Sequence, residues 1–198
     1  MTWLVCGLDE VGRGCLAGPI MAVAALFDQR PGPCPIAGVK DSKAYGDPAV
    51  RLRVFQHILE SPYLIDFGVG EGSVEEIDAQ GIDVANQLAF SRAVGSIKQP
   101  FNLLIVDGDK PLKDCKVPQS VEPKADAKYW TVSAASVLAK VIRDRMMHEV
   151  ALLYPQYDLM SNAGYGTPKH ISALKAYGSV PGLHRSKFIR KFITREGA

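Results

Sequence analysis

Runs of strand character alternate with runs at helical spacing along most of this chain, and that alternation restricts it to an α/β architecture. Trp3 to Leu8 reads as a buried strand. Pro19 to Phe27, continuously apolar and rich in β-branched and small residues, reads as a second strand, hairpin-like beside the first. Val50 to Leu59 carries apolar residues at helical spacing, and Tyr63 to Val69 returns to strand character. Ser73-Val74-Glu75-Glu76 has the form of a capping box and opens a short helix. Asp83 to Ile97 predicts a longer amphipathic helix, and Asn102 to Val106 another buried strand. Val132 to Leu153 is the longest helical stretch, with Val137, Leu138, Val141 and Ile142 on its inner face and Pro155 ending it. Two short helices follow, near Pro168 to Tyr177 and Ser186 to Phe192. The pattern predicts a mixed central β-sheet flanked by helices, with a small helical C-terminal region.

The 198 residues are expected to form a single domain, 1–198, since no repeat, low-complexity tract or linker interrupts them. The short Pro-rich stretch from Arg30 to Pro35 reads as a loop. A chain of this size buries roughly 70% of its unfolded surface, so its core requires no staple. Cys6, Cys15, Cys34 and Cys115 show no CxxC spacing and no paired histidines nearby, which argues against zinc and for free thiols in a reducing compartment. No apolar run is long enough to span a bilayer, and the start lacks a basic leader. The expectation is a cytoplasmic monomer with no membrane partner.

A net charge of +2 neither demands nor excludes a polyanion. Its distribution says more. From Gly164 onward Lys169, Lys175, Arg185, Lys187, Arg190, Lys191 and Arg195 face one acid, Glu196. Residues 164–198 therefore read as a basic, helical end that contacts a phosphate-bearing substrate, or equally as a solvated helical face. Gly68-Val69-Gly70-Glu71-Gly72 lacks both the dinucleotide-binding spacing and a phosphate-binding lysine, so it reads as a strand end and turn.

Acidic residues occupy unusual places. Asp9 and Glu10 end the first apolar strand, Asp107 ends another, and Asp126 stands just ahead of the longest helix. In an open α/β sheet the carboxyl ends of strands line the ligand crevice. Carboxylates gathered there repel one another unless a cation joins them, and hard oxygen donors select Mg²⁺ or Mn²⁺. Neighbouring residues on a regular strand face opposite ways, so Asp9 and Glu10 share one site only if the strand ends or bulges there. Any one of these acids alone reads as a turn residue or helix cap.

Their contexts are more specific. Gly7-Leu8-Asp9-Glu10-Val11-Gly12-Arg13-Gly14 with Leu16-Ala17-Gly18-Pro19, then Asp41-Ser42-Lys43, Val106-Asp107-Gly108 and Lys124-Ala125-Asp126 follow one another along the chain. Ser133 to Asp144, Gly164-Tyr165-Gly166-Thr167 with His170, and His184-Arg185-Ser186 complete the series. This ordered set, spanning nearly the whole chain, resembles the ribonuclease HII (type 2 ribonuclease H) family.

The resemblance implies a ribonuclease H-like fold and an endoribonuclease that hydrolyses the RNA strand of RNA–DNA hybrids. It also implies cutting 5′ to single ribonucleotides embedded in duplex DNA, leaving 3′-OH and 5′-phosphate ends, in ribonucleotide excision repair and DNA replication. Asp9, Glu10, Asp107 and Asp126 match the four catalytic, metal-holding carboxylates, around two Mg²⁺ or Mn²⁺ ions. Gly12, Arg13 and Gly14 match a loop that reads the ribose, where glycines let the backbone reach a 2′-OH. Tyr165 matches a tyrosine that stacks on the following sugar; a half-buried packing aromatic is the alternative. Lys43 resembles a phosphate-contacting lysine, or is a solvated loop residue. His170 and His184 fall on motif positions without an assigned role. The chain starts at its first catalytic strand, carries Gly12-Arg13-Gly14 and has aspartate at 126, which favours the type 2 pattern over a type 3-like enzyme preferring RNA runs. A non-catalytic hybrid-binding module is the rival of another class, but such a module gains nothing from clustered negative charge where phosphates dock.

Overall fold

The computed structural model describes residues 3–28, 33–39 and 45–193. Five strands, β1 (Leu4–Val11), β2 (Ile20–Asp28), β3 (Leu64–Gly72), β4 (Leu103–Asp107) and β5 (Gln119–Glu122), form one sheet in the order β3-β2-β1-β4-β5. β1 and β2 pair antiparallel, as do β2 and β3, while β4 runs parallel to both β1 and β5. The sheet is mixed, as the alternation predicted. The helices are α1 (Pro48–Leu59), α2 (Val74–Gln80), α3 (Ile82–Gly95), α4 (Trp130–Leu153), α5 (Leu159–Asn162), α6 (Pro168–Tyr177) and α7 (Ser186–Ile189).

Both faces of the sheet are covered, which explains why β2 is apolar without a break. Its even-numbered residues, Ile20, Ala22, Ala24 and Leu26, join Ala85, Ala89, Phe90 and Ala93 of α3 in one core layer. Its odd-numbered residues Val23, Ala25 and Phe27 join Val137 and Leu138 of α4 and Val54, Phe55 and Ile58 of α1 in another. A third apolar cluster lies under the C-terminal region, where Leu16 and Met147 meet Tyr157, Leu159 and Leu174.

Most expected elements are present, and the Ser73 capping box forms: Glu76 N–H donates to Ser73 Oγ, and Ser73 N–H donates to the Glu76 carboxylate. Three differences are physical. Strand β3 continues through Gly72, where sequence suggested a turn. A Cβ at Gly68, Gly70 or Gly72 would lie 2.0–2.4 Å from the carbonyl oxygens of Ala93, Ala89 and Ala85. Two strand residues advance about 6.6 Å and four helix residues about 6 Å, so alternate glycines receive successive helical turns of α3 backbone to backbone. Strand β5 escaped notice because its four residues are half-buried and mostly polar. The third difference is α7, which spans only Ser186–Ile189, shorter than the stretch to Phe192.

Candidate active site

Strand alternation decides which acids meet. Cys6 and Leu8 of β1 face α3, so Gly7 and Asp9 face α4. On the neighbouring parallel strand β4, Val106 is level with Leu8 and also faces α3, which turns Asp107 to the α4 side beside Asp9. The third acid arrives from that helix. A Cβ at Gly7 would lie 2.4 Å from the backbone of Thr131, so only glycine lets the first turn of α4 rest on β1. That contact brings the preceding 3₁₀ turn, Ala125–Ala127, and Asp126 against the strand ends. Carboxylate oxygens of Asp9, Asp107 and Asp126 lie within 4.8 Å of one another.

Glu10 is placed differently. β1 runs without a bulge through Asp9, Glu10 and Val11, paired with Val23, Ala22 and Met21. Glu10 therefore points to the opposite face from Asp9 and stands outside the three-carboxylate group, yet both residues line one cleft of about 410 Å³. Glu10 also borders a smaller hollow of about 40 Å³ with Asp107 and Arg13. The acids are held in place: Ala125 N–H donates to Asp107 Oδ1 at 3.1 Å, and Glu10 N–H donates to Asp9 Oδ1 at 2.7 Å. Asp9 is buried, and burial pushes its pKa well above the usual carboxylate range. The charge of Glu10 pushes the same way, a hydrogen bond with Ser136 opposes it, and Asp107 and Asp126 add to the rise. Clustered hard oxygens whose charge is disfavoured without a counterion suit a divalent cation, and these residues fit one.

The cleft joins Asp9 and Glu10, the edge of this acidic floor, to a basic and aromatic rim. Gly12, Arg13, Gly14 and Tyr165 line it, together with Arg51, Ser136 and Lys140. Ser136 and Lys140 lie one turn apart on α4 and share a face; that i,i+4 spacing was the sequence signal for them. Lys140 bonds Asp144 at 2.7 Å and approaches the Tyr165 ring at 5.6 Å, and Arg51 of α1 reaches the same Asp144 at 3.7 Å. No sequence pattern pointed to Arg51, which comes from a helix distant in the chain. Nor did one pair Arg13 with Asp83, whose carboxylate receives the Arg13 guanidinium across 70 residues. Lys43 lies outside the described residues.

Arg143 of α4 and Arg185, which the sequence placed in the basic C-terminal end, are both fully buried. Arg143 donates to the carbonyls of Pro19 at 3.1 Å, Ala163 at 2.7 Å and Ala17 at 3.0 Å. Arg185 donates to Gly18 O at 2.8 Å and Arg13 O at 3.0 Å. Arg185 therefore leaves the basic C-terminal face, on which Lys169, Lys175, Lys187, Arg190 and Lys191 are exposed. These carbonyls belong to irregular backbone that no strand partner satisfies, so side-chain donors take that role. Gly12 adopts φ +88°, and a Cβ there would sit 2.3 Å from Arg143 Nε, so the loop requires glycine on both counts. His170 and His184 are buried as well, and neither lines the cleft.

A mixed sheet carrying a carboxylate cluster at adjacent strand ends marks the α/β enzymes that hold divalent cations. The comparisons narrow the class. Residues 6–191 match the family model for ribonuclease HII. A ribonuclease HII of Trichormus variabilis is 39% identical over 186 residues, covering 93% of this chain and 81% of that protein. The crystal structure of the ribonuclease H2 from Pyrococcus horikoshii OT3 superposes with a TM-score of 0.77 at 29% identity, covering 96% of each chain. A ribonuclease HIII solved in complex with Mn²⁺ shares the fold, with a TM-score of 0.70 at 20% identity over 96% of this chain and 69% of that one. The chain belongs to the ribonuclease HII family. It is an enzyme with ribonuclease H activity, of a metal-dependent family that acts on RNA–DNA hybrids.

Proposed function

We propose that this chain is an endonuclease that cuts the RNA strand of RNA–DNA hybrids and cuts 5′ to a single ribonucleotide embedded in duplex DNA, leaving 3′-OH and 5′-phosphate ends. The observation that carries the reading is one cleft uniting two halves. Its floor holds Asp9, whose carboxylate lies within 4.8 Å of those of Asp107 and Asp126, together with Glu10, and its rim holds Gly12, Arg13, Gly14 and Tyr165. Asp9, Glu10, Asp107 and Asp126 would hold two Mg²⁺ or Mn²⁺ ions, which when bound activate the attacking water and stabilise the leaving oxygen.

The chain's own groups do the positioning. The open backbone of Gly12 and Gly14 meets the 2′-OH, the group that separates RNA from DNA. Arg13 exchanges its Asp83 partner for a backbone phosphate, a bond of similar strength at an exposed site. The half-exposed Tyr165 ring stacks on the sugar that follows the ribonucleotide, and Lys43 contacts a phosphate. The exposed lysines and arginine of α6, α7 and the segment after them give a second, sequence-independent phosphate contact. The cellular role that fits is removal of ribonucleotides from DNA during genome maintenance by a cytoplasmic monomer.

Cleavage mapping on a duplex carrying one ribonucleotide, with Mg²⁺, with Mn²⁺ and with chelator, tests the proposal. The expected result is a single nick 5′ to the ribonucleotide in either metal and none in chelator. Undiminished turnover in chelator, or cutting confined to uninterrupted RNA, would overturn it.

A further inference from the structure

Behind Tyr165 lies a buried polar pair outside the cleft. His170 of α6 and His184, just ahead of α7, pack with ring centroids 5.4 Å apart, and Tyr157 stands edge-on to both. Their Nε2 atoms are 3.2 Å apart, and both outer nitrogens meet backbone. Val180 N–H donates to His184 Nδ1 at 3.0 Å, and His170 Nδ1 lies 2.9 Å from the Tyr165 carbonyl. These partners place every proton. A backbone N–H only donates, so His184 Nδ1 is bare and its proton sits on Nε2. That proton is donated to His170 Nε2, which leaves the His170 proton on Nδ1, donated in turn to the Tyr165 carbonyl. Burial lowers the pKa of both rings, that of His184 to about 4, so the pair stays neutral and the chain of donors stays intact.

Two imidazoles in an otherwise apolar cluster cost desolvation that a pair of hydrocarbons avoids. What they gain is a directed hydrogen bond, and it ends on the residue whose ring enters the cleft. We propose that His170 and His184 are positioning residues for Tyr165: their proton chain fixes the 165 backbone and thereby sets the selectivity for a lone ribonucleotide. The inference rests on the reading of Tyr165 as the residue that stacks at the RNA-to-DNA junction.

The test uses the full chain with two substrates, a duplex with one ribonucleotide and a uniform hybrid, and separates kcat from KM for each. His170→Leu fills the space and donates nothing. His170→Asn breaks the contact with His184 just as Leu does, but its amide sits near the former Nδ1 and still donates to the Tyr165 carbonyl. His170→Leu should lower kcat on the lone ribonucleotide roughly tenfold more than on the hybrid, about the worth of one directed hydrogen bond, and His170→Asn should restore most of it. Equal losses on the two substrates, or no difference between Leu and Asn, would show that the pair only packs. Tyr165→Ala runs alongside: if it too loses both substrates equally, the reading of Tyr165 fails and the inference with it. Nitrogen-15 shifts of the wild-type imidazoles give a readout independent of any variant. They should show His170 protonated at Nδ1 and His184 at Nε2, and a His170 protonated at Nε2 would overturn the proposal.

Discussion

The two walls of the cleft are built by opposite means. The acidic floor is regular: Asp9 lies near the end of β1, Asp107 ends the neighbouring parallel strand β4, and Asp126 is delivered by the turn ahead of a helix seated on Gly7. The other wall is irregular. Residues 12–19 and 163–165 satisfy their backbone through one another, as in Leu16 N–H to Gly164 O at 2.8 Å, and through buried donors on Arg143, Arg185 and His170. The floor gathers like charges and so carries electrostatic strain. The wall gathers carbonyls around two buried cations, and it is held by their hydrogen bonds. Substitutions should therefore separate them: on the floor, function is lost and stability kept; on the wall, stability and selectivity are lost together.

The largest effect is expected from Asp107→Asn. The amide oxygen can still accept from Ala125 N–H, so the fold should persist. Loss of partners that merely orient metal ligands costs about 10–100-fold, and loss of a ligand itself should exceed that. Steady-state cleavage beside circular dichroism checks both halves, and an unfolded variant would break the comparison on the floor side.

Gly12→Ala comes next. The side chain it adds meets Arg143, which three hydrogen bonds hold in a buried slot, and φ is positive. Backbone strain of this kind costs about 1–3 kcal/mol. Thermal melts should show that loss, and cleavage of the lone ribonucleotide should fall more than cleavage of the hybrid. A stable Gly12→Ala with unchanged selectivity would mean that the wall is compliant.

Asp9→Asn in metal-free buffer should have the smallest effect, and the opposite sign. A buried carboxylate whose pKa is raised contributes stability at pH below the ordinary carboxylate range and loses it as pH rises toward neutrality. At neutral pH the amide relieves that repulsion while still accepting from Glu10 N–H, so the melting temperature should hold or rise. A large drop would identify Asp9 as a structural acceptor and would erase the contrast between the walls.

The local sequence determined what local physics encodes. Short apolar runs and helical spacing announced four of the five strands and most helices among the described residues. Acids at the ends of apolar runs announced the floor, and the ordered motifs through Gly164-Tyr165 announced the family. Tertiary structure decided the rest. Alternation along β1 separates Asp9 from Glu10, so the two enter one cleft from opposite faces of the sheet. Arg185 looks like a surface cation in a linear reading, because nothing in a one-dimensional pattern shows a carbonyl left without a strand partner. The glycines of β3 look like a turn until α3 presses Ala85, Ala89 and Ala93 against them. In each case the deciding partner lies on another element, and only the packing of the sheet against α3, α4 and the C-terminal helices brings it within reach.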